Sequence, residues 1–292
     1  MSTTRPRGFA PWSPRAKTLR LLAQIDAVLI EYAEYLPLAI RQVFYRLIGA
    51  HEYEKTEPAY SRLCETIGRA RRAGYISFDS IRDDGVTRLE SSSWDGTQAF
   101  IDAVADTAAS FKLDRQDGQQ TRLWILTEAA GMAPMIAKVA NQYGVPVLSS
   151  GGFDSLTAKH DLAQELSDAG CAEVLHIGDH DPSGVHLFKA LREDVGALSV
   201  GLGSFTPPMF TRLAVTPQQI VEMNLPTAPA KKTDNRAFTG ETVQAEAIPP
   251  DVLTELVRIA IEARQDEETR LDVLSREQVA RAELSKWIAS AS

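Results

Sequence analysis

The 292-residue sequence predicts an α/β protein: a helical N-terminal region, then a mostly parallel sheet, then C-terminal helices. Three observations carry this. Apolar residues recur at helical spacing up to residue 74. From residue 121, short apolar runs alternate with amphipathic stretches of helical length, the order that builds βαβ units. From residue 251 the helical spacing returns.

Composition supports a globular chain. With 44% hydrophobic and 24% charged residues and a net charge of -8, disordered, collagenous and coiled-coil readings are excluded. A chain this long buries roughly 75% of its unfolded surface, enough for two medium domains. No run approaches the ~18 apolar residues of a membrane span. The N-terminal residues lack an apolar signal core, and Cys64 and Cys171 are too few for a disulfide framework. The expectation is a cytoplasmic protein with no membrane partner. Charge is uneven: residues 1–90 carry 14 Lys+Arg against 11 Asp+Glu, and the remainder 17 against 28. An acidic total does not prevent a local basic face from gripping phosphates.

In chain order, residues 1–16 read as a mobile tail. Leu21, Leu22, Ile25, Val28, Leu29 and Tyr32 make a helical stripe. Pro37 opens a second helix that closes near Gly49; a third follows Pro58 and ends at Gly74, a residue type suited to the left-handed turn after a helix. Two strand-like pieces, YISF and VTRLE, then flank the turn-rich RDDG. Three helices followed by a β-hairpin is the order of a winged helix-turn-helix, here residues 17–94. Its third helix carries Arg62, Arg69, Arg71 and Arg72, as a groove-facing helix would.

Residues 95–120 read as a connecting helix and a polar linker. RLWILTE, VPVLSSGG and EVLHIG follow as strands separated by helices, in a unit spanning residues 121–250. Beyond residue 197 the pattern suggests extended loops with a short helix. Residues 251–292 return to helix.

Active residues of an open parallel sheet gather at the C-terminal ends of its strands. RLWILTE delivers Glu128 there, and EVLHIG delivers Asp179 and Asp181 within GDHDPSG. Three carboxylates at one edge repel unless protonated or bound to a hard cation, most simply Mg²⁺. Asp181, before Pro182 and a helix, also suits an N-cap. His176, His180 and His186 suit strand packing, solvent exposure and a helix surface better than zinc, given so many oxygens. GLGS at 201–204 suits a turn, and Lys231, Lys232 and Arg236 either touch DNA or are plain surface. The second candidate is Tyr45 in AIRQVFYRL, with Arg41 one helical turn earlier. A cation there would favour the phenolate and hold a phosphate, the requirement for a tyrosine nucleophile on DNA.

Glu128 at a strand end with DxDPxG some fifty residues later resembles a Toprim domain. RQVFY in a winged helix upstream of it is similar to the A subunit of topoisomerase VI and the related meiotic double-strand-break transesterase. The resemblance spans roughly residues 35–240, and the compact length resembles short stand-alone A-like proteins of bacteria, plasmids and phages. It implies that Tyr45 forms a 5′-phosphotyrosyl link, assisted by Arg41, with Mg²⁺ at Glu128, Asp179 and Asp181. It also implies double-stranded DNA as substrate, and a homodimer in which Tyr45 of one subunit meets the metal site of the other. No GHKL-type ATPase signature is present in the sequence, so strand passage would need a separate B-like ATPase subunit. A Toprim nuclease that hydrolyses DNA without the tyrosine, and a non-catalytic DNA-binding module that needs a partner, are the competing readings.

Overall fold

The computed structural model describes residues 9–82, 93–149, 156–229, 238 and 240–291. Helix α1 (Ala16–Glu31) buries Leu22, Ile25, Val28 and Leu29 on one face, the stripe its spacing predicts. A two-residue strand, β1 (Leu38–Ala39), leads into α2 (Ile40–His51), so Pro37 precedes a strand rather than opening the helix. Helix α3 (Glu57–Ala73) begins where the Thr56 hydroxyl accepts from the Ala59 N–H. It ends at Gly74, whose φ of 80° suits a residue without a side chain.

The next region differs from expectation. Residues 75–78 form no strand; the strand is β2 (Ile81–Arg82), after a 3₁₀ turn over Phe78–Ser80. It pairs in parallel with β1, Leu38 opposite Ile81. The VTRLE half of the expected hairpin lies outside the described residues. Helix α4 (Thr97–Ala109) follows.

The sheet is built by β3 (Arg122–Thr127), β4 (Val147–Ser149), β5 (Ala172–Ile177) and β6 (Met209–Ala214), all parallel, in the order β4-β3-β5-β6. Helices α5 (Ala133–Ala140), α6 (Leu156–Asp168) and α7 (Pro182–Gly201) make the crossovers. All six residues of β5 are buried, as a central parallel strand requires. Strand β6 lies where loops were expected, because Pro207, Pro208 and a half-buried, mixed-polarity strand disguise it. After the short α8 (Pro217–Glu222), α9 (Pro250–Glu262) packs across α5, and α10 (Glu267–Ala291) lies along α4. One hydrophobic cluster runs without a break from Leu22 in α1 through Leu123 and Leu175 to Ile261 in α9. The helical region and the sheet therefore share a core rather than meeting across a linker. No helix among the described residues is long and apolar enough to cross a membrane.

Candidate functional site

Strand register builds the acidic edge. Thr127 of β3 stands opposite Ile177 of β5, so the next residues, Glu128 and Gly178, leave the sheet side by side. Glu128 N–H donates to the Ile177 carbonyl at 2.9 Å. A methyl group on Gly178 would overlap the Glu128 carboxyl group, so glycine is what lets that side chain lie across the turn. Gly184 is confined in the same way by the Asp179 carbonyl.

Glu128, Asp179 and Asp181 lie around this turn, and in each, one carboxylate oxygen accepts from a backbone N–H. Glu128 Oε2 accepts from Asp179 N at 3.0 Å, Asp179 Oδ1 from Ala245 N at 2.9 Å, and Asp181 Oδ1 from Gly184 N at 2.7 Å. Asp181 is thus also the N-cap of α7, the structural role its position before Pro182 allows. Burial, reinforced by the half-buried Glu246, pushes the Asp179 carboxyl up to about 7, with smaller contributions from Glu128 and Asp181. His176 is buried, packs its ring tilted against Phe188 with centroids 4.6 Å apart, and brings Nε2 to 3.3 Å from Glu128 Oε1. Burial holds its pKa down despite Glu128. His180 is half-buried with its ring tilted against Phe238, centroids 5.1 Å apart, and His186 is exposed on α7.

Oxygen-only donors, each oriented by a backbone N–H, suit a hard divalent cation such as Mg²⁺. Among the described residues no three His, Cys, Asp or Glu side chains are grouped as a ready-made metal cage. The chemistry of the donors fits Mg²⁺; waters and a phosphate would have to complete its shell.

Tyr45 lies in the same chain beside these acids. A cleft of about 390 Å³ is lined by Arg41, Tyr45, Lys55, Tyr60, Asp181, Ser183 and Gln244, among others. The tyrosine is 3% exposed, and its hydroxyl donates to Gln244 Oε1 at 2.7 Å. The expected phenolate stabilisation is not found: burial, then Glu246, raise the Tyr45 pKa well above its ordinary value, and the opposing pull of Arg41 is outweighed. Arg41 turns toward Tyr60, its guanidinium carbon 5.1 Å from that ring's centroid. Within the chain, the cleft places Tyr45 beside Asp181.

The predicted DNA-contacting arginines sit elsewhere. Arg62 pairs with Glu54 at 2.9 Å and Arg69 with Glu65 at 2.7 Å. Arg71 lies over the Phe78 ring at 4.5 Å, and Arg71 and Arg72 close the last turn of α3. Helix α3 lines the cleft with Glu57 and Tyr60. At about 1.5 Å per residue, Arg69 lies roughly 13 Å further along the axis than Tyr60. The basic loop with Lys231, Lys232 and Arg236 lies outside the described residues.

Four side chains were not singled out from the sequence. Arg212 of β6 reaches under the acidic turn, donating to the Gly178 carbonyl at 2.9 Å and also to that of Asp179. Lys55 places Nζ 5.6 Å from the Tyr45 ring centroid and donates to the Pro226 carbonyl at 2.6 Å. Gln244 and Glu246 come from a loop almost 200 residues after Tyr45, with no periodicity to mark them. Arg212 had one signal, an isolated cation in an otherwise uncharged strand-length run.

Comparison of the chain with family models, with curated proteins and with solved structures finds no match.

Proposed function

We propose that this protein cleaves double-stranded DNA by transesterification, in the manner of a type IIB topoisomerase A subunit. In this reading the helical region is a winged helix, the sheet a Toprim domain and the working unit a homodimer. The observation that carries the proposal is the single cleft in which Arg41 and Tyr45 face Asp181, with Asp179 and Glu128 behind. Tyr45 Oη forms a bond to phosphorus as the P–O3′ bond breaks; the tyrosine proton passes to solvent, and the departing 3′ oxygen takes one up. One phosphodiester is exchanged for another, so the strand can be resealed without an energy source. Arg41 and Lys55 supply positive charge beside the phosphate, where donors already in place lower the barrier most. Mg²⁺, held by Glu128, Asp179 and Asp181, would supply charge neutralisation at the phosphoryl oxygens. Strand passage would fall to a separate ATPase subunit.

The test is cleavage of end-labelled duplex by wild type, Asp179→Asn and Asp181→Asn, with Mg²⁺ or with chelator. Transesterification requires protein-linked ends from wild type with Mg²⁺, and none from the variants or the chelated protein. The burial of Tyr45 favours a second reading, a Toprim nuclease that hydrolyses DNA while the tyrosine merely packs. That enzyme would release free ends and leave no protein-linked DNA.

A further inference from the structure

Residues 242–247 run between the helix that carries Tyr45 and the turn that carries Asp179. Val243 and His180 exchange two backbone hydrogen bonds of 2.8 and 3.0 Å. Thr242 and Ala228 exchange two more, of 2.7 and 2.9 Å. Ala245 N–H holds Asp179 Oδ1, and the Ala247 carbonyl accepts from Arg46 of α2. Val243, Ala245, Ala247 and the next residue, Ile248, are at most 1% exposed and belong to the main core. A segment pinned on both flanks and packed this deeply is a fixed part of the fold rather than a lid. From it, Gln244 reaches into the cleft and accepts the Tyr45 hydroxyl.

The geometry points to Gln244 as the positioning residue for the Tyr45 hydroxyl, an inference that rests on the transesterification reading above. Gln244 and Ala245 are consecutive, so the nucleophile and Asp179 are held by neighbouring residues of one strap. The shared core brings the two groups together, and the strap sets the final alignment of the hydroxyl relative to Asp179. A neutral amide oxygen cannot take the proton; it accepts the O–H bond and so fixes where the remaining lone pairs of Oη point. Aim of this kind matters, because misplacing a reacting group by ~1 Å costs about 100-fold in rate.

Gln244→Met keeps the length of the side chain and removes only the acceptor; Gln244→Glu keeps an acceptor. Two measurements on the full chain test the inference. The first is ¹⁹F NMR of 3-fluorotyrosine placed at position 45, without DNA. The second is single-turnover formation of protein-linked duplex with Mg²⁺. Gln244→Met should shift and broaden the fluorine resonance and slow adduct formation by about 10- to 100-fold, with duplex affinity unchanged. Gln244→Glu should restore a narrow resonance. An unmoved resonance in Gln244→Met overturns the inference whatever DNA does, and so does an adduct rate equal to or above wild type. A moved resonance with no adduct from wild type leaves the hold on Tyr45 standing and removes the transesterification reading instead.

Discussion

Asp179 shows at the residue scale how the acids are tuned: one carboxylate oxygen is fixed by Ala245 N–H, while burial and Glu246 keep the group reluctant to ionise. Tyr45 is held back by the same two causes. The sequence marked Tyr45 and the three acids through local spacing; Arg41, marked in the same way, turns toward Tyr60 instead. Gln244, Glu246, Arg212 and Lys55 escaped because only the tertiary fold brings them to the cleft. The raised Tyr45 pKa has a spectroscopic consequence. Tyr45 stays protonated in the folded protein at pH values where an ordinary tyrosine has ionised. The phenolate absorbance gained by the folded protein up to pH 11 should therefore be nearly equal in wild type and Tyr45→Phe. A variant lacking one full tyrosine step near pH 10 would contradict the burial argument.

Among the elements, the strand ends were legible and the strand at the sheet edge was not. RLWILT and AEVLHI are apolar enough to announce buried parallel strands, whereas MFTRLA is half-buried and follows two prolines. Residues 113–120, polar enough to pass for a linker, are pinned instead. Gln116 is buried and exchanges hydrogen bonds with the Leu123 backbone at 2.7 and 3.1 Å. Arg115 forks onto Glu277 of α10, at 2.8 Å to Oε1 and 3.2 Å to Oε2, and Leu113 N–H adds a third bond at 3.0 Å. The Glu277 side chain is 3% exposed. Glu277→Ala breaks this buried pair, leaving Arg115 only its bond to the Gln142 carbonyl and releasing Arg281 as well, and should cost about 3 kcal/mol of stability, read as a lower denaturation midpoint at pH 7. Arg115 and that N–H hold the Glu277 pKa below its ordinary value. A carboxylate depressed in the folded state stabilises fully above its unfolded pKa and loses that contribution as pH falls through the folded one. The gap between variant and wild type should accordingly narrow below about pH 4. A gap that persists undiminished in acid would show that packing, not charge, secures α10.

On the scale of the whole molecule, one core joins helical region and sheet, and this places a tyrosine near residue 45 beside acids near residue 180. The sequence foretold both groups but set a domain boundary between them, since apolar spacing reports burial without saying what lies across the interface. Basic character concentrates in the first 90 residues, and α3 carries Arg69, Arg71 and Arg72 well away from the cleft. If a duplex lies along α3 to reach Tyr45, replacing those three with Ala should weaken duplex binding. It should also reduce the dependence of log affinity on log salt by about 2 to 3 units; an unchanged slope would move the DNA path to another face. The central claim, that Tyr45 is the nucleophile, is tested most directly by locating the covalent bond. Wild type is incubated with duplex and Mg²⁺ and quenched with denaturant, its DNA is digested away, and its peptides are analysed by mass spectrometry. The account predicts a nucleotide esterified through its 5′ phosphate to Tyr45, with no modified peptide from Tyr45→Phe and undiminished DNA binding by that variant. DNA cut by Tyr45→Phe at the wild-type rate, or a nucleotide found on any other residue, would contradict it.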